Sequence, residues 1–215
     1  MRIALINGSP KIQGSASKKL SERLKCICER RLEQIEIAEF GFHDTVIAKE
    51  VLEDLSRADI WVFLFPLYVD GIPSHLLSCL IQLEETDFSK KHIHAYGIVN
   101  CGFYEGVQAE FALKILQNWS VKAECIWGSG VGVGGGGALS QMPQIELGHG
   151  PMAPIDKAFA ALLEEISKKE VRENRYVSIA FPRFLYKLSG QLGWRKMIKA
   201  NGKKVRELGN RPESR

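Results

Sequence analysis

Residues 7–17, NGSPKIQGSAS, gather Gly8, Ser9, Gly14, Ser15 and Ser17 between an apolar run and a segment of helix formers. The chemistry that suits them is anion binding. Glycines let a backbone approach a ligand closely, and serine hydroxyls donate hydrogen bonds. A helix N-terminus adds unpaired N–H groups and the positive end of a dipole. Lys11 is the nearby cation. A serine cap alone would need only one of these serines, so a phosphate is the expected occupant.

Two further stretches suit an aromatic ring. In FPLYVDGIPS, 65–74, an apolar run ends at Pro66, and Leu67-Tyr68-Val69 follows where solvent would ordinarily be met. Such a turn can offer a flat surface to a ring while its N–H groups meet the ring edge. NCGFYEG, 100–106, again sets small residues and aromatics ahead of a helical segment. Asn100, Gly102 and nearby amides suit polar atoms of a ring edge, and Phe103 or Tyr104 its face. Cys101 has no base paired with it in the sequence, so it reads as a neutral neighbour and not a nucleophile.

These stretches need elements to hold them, and the periodicity supplies them. Strands are expected at 2–6, 33–40, 59–65, 93–99 and 121–127. Helices are expected at 16–31, 46–56, from Pro73 to about 83, at 105–118, and from Pro154 to about Lys169. DIWVFLF, 59–65, is so continuously apolar that both faces must be covered. Strand and helix alternating five times give an α/β fold with a doubly wound parallel sheet. Five strands suit the flavodoxin-like arrangement better than the six-stranded dinucleotide one. In either, ligands bind at the carboxyl ends of the strands, where the three stretches fall.

The glycine run GSGVGVGGGG, 128–137, contains Gly130, Gly132 and Gly135 in a G-x-G-x-x-G spacing. That fingerprint should follow the first strand and open a helix. Here it follows the fifth expected strand, and Pro143 interrupts what comes after. It is expected to be a mobile, close-approach loop bordering a ligand pocket, not a dinucleotide fingerprint.

In this order and spacing, NGSPKxxGSAS at 7–17, PLYVDGIPS at 66–74 and NCGFYEG at 100–106 resemble the flavodoxin-like NAD(P)H-dependent FMN reductases and quinone reductases. The resemblance covers roughly residues 1–170. It implies that Ser9, Lys11, Ser15, Ala16 and Ser17 lie around an FMN phosphate. Pro66, Leu67, Tyr68 and Val69 would lie along the isoalloxazine, and Asn100, Cys101, Gly102 and Phe103 at its pyrimidine edge. Tyr68 and Phe103 would wall the substrate pocket. The flavin brings its own reactivity, so no side-chain acid or base is expected to be essential. NADPH or NADH would donate hydride, a small quinone-like acceptor would take it from the same face, and the kinetics would be ping-pong. A homodimer is implied, because a neighbour often completes the flavin pocket. A flavodoxin-type electron carrier and a non-catalytic adaptor remain alternative readings.

Charge divides the chain. Residues 1–170 carry 17 basic and 22 acidic residues, a net of −5; residues 171–215 carry 12 and 3, a net of +9. The expected organisation is a flavodoxin-like domain over 1–170 and a basic helical C-terminal extension over 171–215. Phe181, Phe184, Leu185, Leu188 and Leu192 recur at helical spacing among Arg183, Lys187, Arg195 and Lys196, with Gly190 and Gly193 expected to interrupt the helix. Such a segment suits the main domain, a second subunit, a protein partner or an anionic membrane surface. No nucleic-acid-binding module frames these charges. The five cysteines are too few for a disulfide scaffold. With no span or leader legible, a cytoplasmic protein is expected. Cys26 and Cys28 are read as buried free thiols, His92 and His94 as surface imidazoles, and no metal is expected.

Overall fold

The residues of 60–66 have no polar side chain to present to water, and in the structure they lie at the centre of the sheet. A computed structural model describes residues 1–86, 88, 92–139, 142 and 145–209, with the side chain of Leu208 left aside. Among these, six parallel strands run β1 (Arg2–Asn7), β2 (Glu36–Gly41), β3 (Ile60–Pro66), β4 (His94–Asn100), β5 (Ile126–Val133) and β6 (Arg175–Val177). Their order in space is β2-β1-β3-β4-β5-β6. The first five follow the flavodoxin-like order, and the chain reverses its winding between β1 and β3.

The helices are α1 (Ala16–Arg31), α2 (Lys49–Leu55), α3 (Ser74–Glu84), α4 (Glu110–Lys122), the single turn α5 (Gly136–Leu139), α6 (Ala153–Lys168) and α7 (Arg183–Ala200). Local chemistry accounts for the start of α1. Ser15 is extended (φ −77°, ψ 150°), and its Oγ accepts from Lys18 N. This satisfies one of the four donors left open at a helix start. Leu20, Leu24 and Ile27 then repeat on the buried side. Trp61, Phe63 and Phe65 are fully buried with α3 and α4 residues, and Phe63 meets Trp119 edge-to-face at 5.3 Å between ring centroids.

Two expectations change. α4 runs on to Lys122, so the fifth strand begins at Ile126 and not at 121, and it takes up most of the glycine run. Residues 127–133 are buried strand, hence not a mobile loop. A side chain at Gly128 would collide with the Tyr96 ring, and one at Gly132 with the Gly106 carbonyl. The glycines therefore serve close packing. Pro143 lies outside the described residues.

The chain forms two compact units, Met1–Ala180 and Phe181–Arg215, dividing ten residues beyond the charge shift near 170. Residues 175–177 add β6 to the sheet, with Val133 paired to Val177. Arg175 makes an ion pair with the buried Glu165, and Ile179 is buried. In the second unit, α7 continues through Gly190 and Gly193 without a break, and none of its residues is buried. No helix among the described residues is long and apolar enough to cross a membrane.

Candidate functional site at the sheet reversal

The first loop leaves β1 beside the reversal point. Its early polar groups are satisfied internally. Gly8 N donates to Leu64 O at 2.8 Å, Ser9 N to Asn7 Oδ1 at 3.1 Å, and Lys11 N to Ser9 Oγ at 3.2 Å. Gly14 takes φ +66°, which glycine adopts without strain. Among the described residues, the backbone N–H groups of Ile12, Gln13, Gly14, Ser15, Ala16 and Ser17 have no hydrogen-bond partner. A run of open amides at the N-terminus of a sixteen-residue helix is an anion-binding arrangement. Ser9 and Ser15 accept internal bonds through Oγ, which leaves their hydroxyl protons to donate outward.

Ser17 does something else. It is buried and donates from Oγ to Asn100 Oδ1 at 2.7 Å, tying the first loop to the end of β4. Asn100 also accepts from Leu67 N through its carbonyl at 2.8 Å and pairs with Pro66 across β3 and β4. One buried residue, through its side chain and its backbone carbonyl, thus joins all three expected loops.

The second loop is a tight turn. Tyr68 N donates to Gly71 O at 3.1 Å and Gly71 N to Tyr68 O at 3.0 Å. Val69 and Asp70 between them have φ +46° and +58°, the left-handed pair of a type I′ turn. For a β-branched residue this is strained backbone. Val69 is wholly exposed, so no packing within the chain offsets that cost. With Leu67 and Tyr68 bonded and Pro66 lacking a donor, the amides of Val69 and Asp70 are open among the described residues.

In the third loop, Cys101 is buried, its N donates to Val133 O at 2.9 Å, and its thiol points to the Glu105 and Phe103 carbonyls. Burial pushes this thiol above its ordinary pKa, so it is held neutral. Phe103 is 57% and Tyr68 47% exposed, unusual for aromatics beside a sheet reversal. Gly135 N donates to Phe103 O and Gly136 N to Cys101 O, so the end of the glycine run braces this loop from behind. Gly102 and Lys11 are exposed on their loops.

Two residues escape sequence reasoning. His43, just after β2, places Nδ1 2.7 Å from Ser9 O, and His75, in the first turn of α3, places Nε2 3.2 Å from Gly8 O. Their one signal was a histidine beside a loop boundary, in GFH and PSH. His94 corrects the surface assignment. It is buried at the start of β4 with Nδ1 unpartnered, and burial lowers its pKa. No cluster of three potential metal ligands occurs among the described residues. Cys28, buried, has its thiol pushed up to about 12, while Cys26 is half-buried.

No protein-family model and no curated protein matches the sequence. Solved structures do match the fold. An FMN-dependent NADH-azoreductase from Bacillus anthracis, in complex with FMN, is 15% identical, with 79% of this chain and 99% of that chain covered at a TM-score of 0.55. A flavodoxin from Streptococcus pneumonia is 12% identical, with 79% and 99% covered at 0.54. An NADPH-quinone reductase from P. pentosaceus is 13% identical, with 77% and 97% covered at 0.51. Likeness at 12–15% identity speaks for architecture. The chain has the flavodoxin-like fold, extended at one edge by β6.

Proposed function

We propose that the chain is an FMN-dependent NAD(P)H oxidoreductase acting on a small acceptor such as a quinone or an azo compound. The observation that carries this is the pairing, at one sheet reversal, of open amides over 12–17 with the exposed rim of Tyr68, Val69 and Phe103. The amides and the Ser9 and Ser15 hydroxyls suit a phosphate. The rim suits a planar ring, and the Val69 and Asp70 amides suit polar atoms at its edge. FMN has both ends. The azoreductase and quinone reductase of like fold, whose names state FMN, NADH or NADPH, support the same reading.

When bound, FMN would supply the hydride chemistry between nicotinamide and acceptor. The chain's part is binding and shielding. The first loop holds the phosphate, Asn100 keeps the three loops in register, and Tyr68 and Phe103 wall a face open to one reactant at a time. A single face used in turn by donor and acceptor gives ping-pong kinetics. Cys101, neutral and turned to carbonyls, takes no proton in the reaction.

We further infer a homodimer. Leu77 and Ile81 of α3, and Phe111 and Ile115 of α4, stand exposed on two helices joined by Trp119 Nε1 donating to Leu80 O and by the Lys122–Glu84 ion pair. Residues 74–83 carry no Lys, Arg, Asp or Glu, and on α4 Lys114 is paired with Glu110, so the apolar side chains of this face suit a second copy of the chain. The basic segment of α7 is proposed to contact a protein or an anionic membrane surface.

The test is the absorption spectrum of the protein purified with FMN, followed anaerobically through addition of NADPH or NADH. Flavin bands that bleach rapidly support the reductase and reveal the preferred donor. Bound flavin that no nicotinamide reduces favours the electron-carrier reading, and absence of bound flavin removes both.

A further inference from the structure

The two carbonyls that begin the first loop are each held by a histidine. Gly8 O and Ser9 O are consecutive acceptors, and each meets an imidazole nitrogen from a different element: His75 Nε2 at 3.2 Å from α3, His43 Nδ1 at 2.7 Å from the segment after β2. A carbonyl oxygen only accepts, so each contact requires the proton on that ring nitrogen. Both rings are half-buried; His43 follows β2, the strand paired with β1 on one side, and His75 lies on α3, which follows β3, the strand paired with β1 on the other. Space is reserved for one of them, since a side chain at Gly41 would collide with the His43 ring. Space is likewise tight on the other side, where a side chain at Gly8 would collide with Leu76, the residue next to His75.

A peptide group is planar, so holding Gly8 O fixes the plane that carries the Ser9 N–H, and holding Ser9 O fixes the plane of the Ser9–Pro10 bond, which has no N–H. Holding Gly8 O and Ser9 O commits the start of the loop to one course. The segment 12–17 then follows with its amides open. Without these two donors, residues 8–11 keep, among the described residues, the bonds from Gly8 N, Ser9 N and Lys11 N.

We propose that His43 and His75 are positioning residues for the phosphate loop, each donating a hydrogen bond to a loop carbonyl and so presenting the open amides over 12–17 to a phosphate. This rests on the FMN reading above and deepens it: neither histidine touches the ligand, yet both set its phosphate affinity.

The test compares FMN with riboflavin, which lacks the phosphate, by flavin fluorescence quenching on the full chain. His43→Leu and His75→Leu remove the donors. His43→Asn and His75→Gln keep an N–H at the Nδ1 and Nε2 positions respectively. Loss of one ordinary hydrogen bond in the loop should weaken FMN roughly tenfold per leucine variant. Riboflavin affinity should stay within about twofold, and the amide variants should recover most of the FMN affinity. Thermal unfolding of each variant checks folding independently of the ligand. Equal weakening of FMN and riboflavin, or unchanged FMN affinity in the leucine variants, overturns the positioning role while leaving the FMN reading intact. A wild-type chain that binds FMN no better than riboflavin overturns both.

Discussion

Val69 has a backbone its side chain disfavours, so its replacement is the sharpest test of the site. A left-handed conformation costs an L-residue roughly 1–2 kcal/mol, and β-branching places valine toward the upper end. Val69 sits at φ +46° and is wholly exposed, so substitution forfeits no internal contact. Asparagine tolerates this conformation and is favoured in type I′ turns. Val69→Asn should therefore stabilise the ligand-free protein by about 1 kcal/mol, raising Tm by roughly 2–4 °C for a domain of this size. Val69→Gly should gain less, because glycine returns about 0.4–1 kcal/mol of freedom to the unfolded chain. Differential scanning calorimetry and urea melts read both. Where the strain is retained for flavin contact, the same Asn variant should bind FMN more weakly, by up to about tenfold if a valine-sized apolar contact is lost. A ligand-free Val69→Asn protein that is no more stable than wild type would refute the strain argument.

Other expectations concern the frame. Asp156 and Arg23 form a buried pair, Arg23 Nη2 lying 2.6 Å from Asp156 Oδ2, and Arg23 also holds Ile145 O. Asp156→Ala should cost about 3 kcal/mol in urea melts, since it removes the carboxylate from a largely buried guanidinium that keeps only carbonyl partners. His94 is buried, and its pKa is depressed below the ordinary 6.5 chiefly by desolvation, with Lys169 and His92 adding to the effect. The unfolded chain then takes up a proton that the folded one refuses. Its contribution is intact above the unfolded pKa and is lost as pH falls below about 6.5 toward the folded value. Melts from pH 7 to 5 should show this loss, and His94→Leu should remove that component. Of five cysteines, four are buried, and burial pushes Cys28 and Cys125 up to about 12 and Cys79 to about 11. A thiol reagent should label Cys26 quickly in the native protein and the other four only after denaturation. Mass spectrometry of the labelled peptides settles this. For the homodimer, Ile81→Glu with Phe111→Glu should yield a monomer by light scattering, and a wild-type monomer would remove that proposal.

Much of this protein follows from local rules. α1 appears over 16–31 as its pattern predicts, because a serine cap and a 3.6-residue apolar repeat act within one segment. The apolar run of β3 implies a strand covered on both faces wherever its neighbours lie. Alternation of strand and helix was enough for the fold class, and the three loop stretches drew attention to one end of the sheet.

Other features depend on residues far apart in the chain. Glycines over 128–132 look like a loop by composition, yet they lie in β5, where the Tyr96 ring and the Gly106 carbonyl leave no room for side chains at Gly128 and Gly132. β6 is three residues long, too short to carry a pattern, and exists through pairing with β5. The Ser17 hydroxyl is bonded to Asn100, 83 residues on, a contact that no local pattern announces. His43 and His75 stand 32 positions apart and reach consecutive carbonyls of the first loop only because the fold brings the segment after β2 and the start of α3 to the end of β1. Propensity and periodicity act over a few residues and are written in the sequence. Close approach, burial and shared hydrogen bonds act across the folded sheet, and only the tertiary structure decides them.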